Sequence, residues 1–178
     1  VDRLRLAGIV ASGALLLIAA LLAVVGGDGG SETTSAGTGP RLVEVDDLTE
    51  LEETLGHPIY WVGERPASRL ELKQEADGSV YLRYLSEGVE AGDPQQVYLT
   101  VGTYPVADAV AALERTARQN GVPLQGLPGG AVLLPNPASR GSAYLAHPEE
   151  DLEVEVYDPE PGRARELIEA GAVRPVGE

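Results

Sequence analysis

Residues 69–85 read RLELKQEADGSVYLRYL. The runs on either side of Asp77-Gly78 alternate in polarity, and Asp-Gly is the dipeptide that a tight hairpin turn favours, because its central residues need positive φ. The alternation puts Leu70 and Leu72 on one face of the first strand and Val80, Leu82 and Tyr84 on one face of the second. A hairpin of this kind predicts an antiparallel sheet with one apolar face.

Upstream, HPIYWVGERP (57–66) holds the only Trp of the chain, Trp61, beside Tyr60. Its PIYWV core reads as a strand. Before it, Asp46-Asp47 opens a predicted helix. Asp47 and Glu50 have capping-box spacing, Leu48, Leu51 and Leu55 form a stripe, and Gly56 ends it. Downstream, 86–96 is a predicted loop and VYLTVGTY (97–104) a central strand. Pro105 leads into a predicted helix over about 106–120, with Val106, Val110, Leu113 and Ala117 as its stripe and Gly121 at its end. After a Gly/Pro-rich stretch, 122–141, with a short strand at 131–134, SAYLA and LEVEVY are expected strands. Asp158 and Pro159 are expected to start a last helix that buries Ala164, Leu167 and Ile168 and stops at Gly171. AVRPV is expected at a sheet edge, because Pro175 cannot donate to a ladder. About seven or eight strands and three helices, rich in hairpins, predict an α+β fold: a mainly antiparallel sheet with the helices on one face.

The N-terminus is of a different kind. Leu6–Val25, LAGIVASGALLLIAALLAVV, carries no charge. As a helix it spans roughly 30 Å, a bilayer's hydrocarbon thickness. Arg3 and Arg5 precede it, and Asp28 and Glu32 follow. The positive-inside rule then predicts residues 1–5 as a short cytoplasmic tail and 6–25 as a single-pass transmembrane helix in the cell membrane, with the rest extracytoplasmic. A cleaved signal peptide is the competing reading, although its apolar region is usually shorter and no A-x-A site follows here. Residues 26–40, GGDGGSETTSAGTGP, read as a flexible linker. Residues 41–178 are then the extracytoplasmic domain.

The net charge is −15, and the first 26 residues carry +1, so the remainder carries −16. Phosphate backbones and anionic headgroups repel such a surface, which argues against a nucleic-acid partner. There is no Cys, so no disulfide, thiolate metal site or cysteine nucleophile can form. The two histidines, His57 and His147, both precede Pro, and no serine-nucleophile, phosphate-loop or metal-binding pattern is present. Neither a cofactor nor a metal is expected. Asp151, Glu153 and Glu155 share one face of a predicted strand and read as a solvent-facing side, with a weak calcium surface as the alternative.

The ligand-binding candidates are Tyr60, Trp61, Arg65 and His57. Adjacent strand residues point to opposite faces, so one of Tyr60 and Trp61 is expected to meet the helices and the other water or a groove. With Arg65 and His57 beside it, the exposed ring suits stacking on a sugar or holding an extended peptide. The plain alternative is that Trp61 fills the core and Tyr60 the sheet margin.

The pattern PIYWVG, YLRYL, GDP, YLTVGTYP and EVYDPEPGRARELIEAGAVRPV, behind one apolar N-terminal segment, resembles a group of actinobacterial single-pass membrane-anchored proteins with a small extracytoplasmic α+β domain. The resemblance covers most of 57–178 and implies no activity or catalytic residue. Three functions stay open. One is a non-catalytic binding domain of the cell envelope for a protein, peptide or glycan partner. The others are an envelope-polymer hydrolase using carboxylates, and a structural or sensor subunit of a membrane complex.

Overall fold

A computed structural model describes residues 39–177. The predicted transmembrane helix 6–25 and residues 26–38 of the linker lie outside them. Among the described residues no helix is long and apolar enough to cross a membrane.

The chain runs β1 (Arg41–Val43), α1 (Val45–Leu55), β2 (Tyr60–Trp61), β3 (Ser68–Gln74), β4 (Val80–Ser86), β5 (Thr100–Pro105), α2 (Ala109–Asn120), β6 (Gln125–Gly126), β7 (Val132–Pro135), β8 (Ser142–Ala146), β9 (Leu152–Tyr157), α3 (Arg163–Glu169) and β10 (Arg174–Pro175). Eight strands form one antiparallel sheet in the order β1-β3-β4-β5-β9-β8-β7-β6, and β10 pairs with β2 in a separate ribbon. The α+β class and the antiparallel sheet are as expected.

The β3–β4 hairpin keeps the register its alternation implies, with Leu72 opposite Leu82 and Leu70 opposite Tyr84. Its turn closes where Glu75 N–H donates to the Ser79 carbonyl at 2.8 Å and Ser79 N–H to Asp77 Oδ1 at 2.9 Å, with Gly78 at φ 88°. From Leu72 an apolar row continues through Leu82, Val101, Val156 and Ala143. This face carries two clusters. The larger collects Val101, Val154, Val156, Leu133 and Leu145 with Ala164, Leu167 and Ile168 of α3. The smaller collects Val43, Leu72, Val80 and Leu82 with Leu48 of α1.

The helices do not form one layer. α3 and α2 both run against β7, β8 and β9. The buried Ala109, Leu113 and Ala117 of α2 belong to neither cluster, and neither do Leu134 and Ala146, buried on the opposite face of those strands. α2 is the crossover from β5 to β6, four places away in the sheet. It must pass over the strands between, and α3 already occupies one side of them, so α2 takes the other.

Several boundaries also differ from expectation. α1 begins at Val45, and Asp47 accepts from Glu44 N–H at 2.8 Å, so the box pairs Asp47 backward with Glu44 rather than forward with Glu50. α2 begins at Ala109 because Val106 N–H still donates to the Asp151 carbonyl, prolonging the β5–β9 pairing. α3 begins at Arg163: Asp158 Oδ1 accepts from Glu160 N–H in a local turn, and Gly162 at φ 89° precedes the helix. β10 avoids the main sheet altogether, and Pro175, which has no N–H, pairs opposite Tyr60 in the ribbon.

Candidate functional site

The four residues singled out from the sequence do not converge. Tyr60 and Trp61 do point opposite ways, but neither meets water: they are 2 % and 5 % exposed. Tyr60 enters the larger cluster and Trp61 the smaller, so β2 stitches the two together. The reason is the ribbon. β2 lies across the sheet, with Tyr60 N–H donating to Thr103 Oγ1 at 3.0 Å and Val62 N–H to the Tyr84 hydroxyl at 2.9 Å. Tyr60 stacks on His147 and donates from its hydroxyl to Glu150 at 2.8 Å. Trp61 lies under Arg174, whose guanidinium is 6.0 Å from the ring centroid. Its indole Nε1 is buried with no hydrogen-bond partner among the described residues. His57 sits apart from these rings, its Nδ1 2.9 Å from the Pro58 carbonyl and its Nε2 close to Gly78 of the hairpin turn.

Arg65 lies elsewhere again, in a groove of about 280 Å³ beside the sheet edge. Leu42, Val43, Leu70 and Tyr84 form its apolar part, and Arg65, Arg69, Glu44 and Glu64 its charged part. The turn that delivers Arg65 is closed by Ser68, whose Oγ donates to the Arg65 carbonyl at 2.9 Å. Arg69 donates to the Val89 carbonyl. Arg65 has no ion pair among the described residues. β1 ends the sheet, so one side of its backbone pairs with β3 and the other with no strand of the sheet. Leu42, at 39 % exposure, is one of two large apolar side chains left open to water among the described residues.

The second notable feature is on the α2 side of the sheet. One cross-strand row runs Lys73, Tyr81, Gly102, Glu155, Tyr144, Leu134, and the next holds Tyr104, Glu153 and Ala146. The sequence reading made this side of β9 a solvent-facing one. Instead, Glu153 and Glu155 are 3 % and 4 % exposed, because α2 and the tyrosines of neighbouring strands cover what alternation alone leaves open. Tyr104 explains part of this. Gly102 has no Cβ, so the Tyr104 ring folds across it and its hydroxyl donates to Glu155 at 3.2 Å. Tyr81 packs edge-on against Tyr104 at 5.5 Å between centroids.

Burial raises the pKa of Glu155, while the hydroxyls of Tyr144, Tyr104 and Ser142 pull it back down. Glu153 has no such hydroxyls. Burial, and then the charge of Glu155, push it up to about 7. Burial raises Tyr104 and Tyr144 as well, and Glu155 adds to both shifts. Asp151 stands outside this group, exposed, with its Oδ1 accepting from Asp108 N–H at 2.9 Å. The three acids therefore do not line one surface. No group of three or more potential metal ligands assembles among the described residues.

The chain matches no protein-family model, no curated protein and no solved structure.

Proposed function

We propose that this protein is a non-catalytic interaction domain of the cell envelope. On this reading residues 6–25 anchor it in the membrane and residues 41–178 stand on the outer side. The anchor and its orientation rest on the uncharged run and on Arg3 and Arg5 before it. The binding role rests on one observation: the β1 edge, unpaired by any described strand, borders a groove that holds Arg65 without an ion pair among the described residues.

A sheet edge offers backbone N–H and C=O groups to an added strand, and side-chain pockets give that addition its selectivity. Val43 and Leu70, which share a face, suit an apolar side chain of the incoming segment, and Arg65 suits a carboxylate next to it. The occupant is thus an extended segment of a partner protein with alternating apolar and acidic residues. A second copy of this chain is disfavoured by the −16 carried beyond residue 26.

The test uses two capped peptides, Ac-DVDVDV-NH2 and its lysine counterpart Ac-KVKVKV-NH2, added to the isotopically labelled chain. The acidic peptide is expected to shift amide resonances of residues 41–43 and 65–70, and Arg65→Glu to weaken this at least several-fold. The overall charge favours the basic peptide, so preference for the acidic one isolates the groove. Equal binding of both, or shifts away from β1, would sink the reading.

A further inference from the structure

Glu153 and Glu155 occupy successive positions on the same side of one strand, about 7 Å apart along the backbone. Two ionised carboxylates so placed repel each other, and both have lost nearly all contact with solvent. A nearby cation would resolve this, and the described residues around the pair supply none. From β4 and β5 the facing groups are Tyr81 and Tyr104, and from β8 Ser142 and Tyr144. The cation of β3 in the same row, Lys73, is paired with Glu75 at 2.6 Å. Arg83 is taken by Glu71 at 2.9 Å. On α2 the buried positions are Ala109, Leu113 and Ala117, while Arg118 is exposed and reaches Glu114. Arg115 is exposed too. The charge that acts on Glu153 is that of Glu155 alone.

We infer that Glu153 and Glu155 form a proton-binding site, in which hydroxyl donors favour the charged form of Glu155 and Glu153 is the carboxyl that takes up the proton. The division of roles follows from the donors. The hydroxyls of Tyr144, Tyr104 and Ser142 favour the charged form of Glu155, Tyr104 donating to it at 3.2 Å, and no hydroxyl among the described residues does so for Glu153. The site makes the domain responsive to pH. A carboxyl that holds its proton more tightly when folded stabilises the fold fully below its unfolded pKa. That contribution is lost as pH rises through the folded value. For Glu153 the window runs from about 4.5 to about 7. A midpoint of about 7 in place of about 4.5 is a proton affinity about 300-fold above that of an ordinary glutamate. Through this group the fold therefore loses stability as pH rises from about 4.5 to about 7.

The experiment follows the side-chain carboxyl carbons of the ¹³C-glutamate-labelled full chain in detergent micelles through a pH titration. One resonance is expected to titrate near 7, to vanish in Glu153→Gln, and to move to lower pH in Glu155→Gln, where the like charge is gone. Thermal melts of the wild type are expected to fall in midpoint between pH 5 and 8, and those of Glu153→Gln to lose most of that slope. The inference fails if every glutamate of the wild type titrates in the ordinary carboxylate range, or if the high resonance survives Glu153→Gln. The wild-type titration decides the matter even if a variant does not fold.

Discussion

Gly102 shows what a single absent atom contributes. A Cβ built there would lie 2.3 Å from the Tyr104 hydroxyl oxygen and 2.6 Å from Cζ. Elsewhere such a ring would swing away, but Tyr104 is buried, bonded to Glu155 and packed on Tyr81. Gly102→Ala is therefore expected to destabilise the fold by about 1–3 kcal/mol, the range for overpacking a filled interior. Urea denaturation measures it. Tyr104→Phe on the Gly102→Ala background should recover little, because the clash involves the ring as well as the hydroxyl. Nothing in TVGTY as a string marks this glycine, since Gly in a strand can equally signal a bulge. Pairing it opposite Glu155 is what gives it a role.

Residues 87–99, between β4 and β5, form the longest connection between described elements, and Arg83 anchors it. Arg83 on β4 donates to Glu71 on β3 and to the carbonyls of Asp93 and Gln95, at 2.9, 2.8 and 3.1 Å. Glu71 also accepts from Gly92 N–H, and the Tyr98 ring lies 5.1 Å from the Arg83 guanidinium. Arg83→Met removes the cation and leaves Glu71 buried without it, which typically costs about 3–5 kcal/mol. The expected result is a lower denaturation midpoint, together with faster amide exchange confined to residues 87–97. Uniform exchange across the sheet would contradict the pinning. Hairpin patterns made β3, β4, β8 and β9 legible in advance. The short β1 and β6 were not, because strands of two or three residues hold too few positions to show alternation. Arg65 was picked out for company it does not keep: the turn at 65–68 carries it away from Trp61 and toward the β1 edge.

At the scale of the whole molecule, β2 joins two apolar clusters through two consecutive residues. Trp61 reports on the smaller cluster, and Tyr60 is part of the larger. If the ribbon couples them, fluorescence of the single tryptophan and far-ultraviolet circular dichroism should trace one coincident unfolding transition. Native emission should be blue-shifted and resistant to acrylamide. Two separated transitions would mean that the clusters unfold independently, and red-shifted, easily quenched emission would contradict the burial of Trp61.

The sequence by itself determined the fold class, the hairpin at Asp77-Gly78 and the apolar residues of α1 and α3. Each depends on near neighbours along the chain, where periodicity and turn chemistry act directly. Tertiary structure alone decided which face α2 covers, that both Tyr60 and Trp61 are buried, and that Glu153 and Glu155 lie in the interior. Alternation along β9 separates two sides of a strand but does not say what lies over either. That depended on a crossover spanning three strands and on tyrosines brought in from β4, β5 and β8. The burial that turns an ordinary acidic strand into a proton-binding one is a property of those distant neighbours.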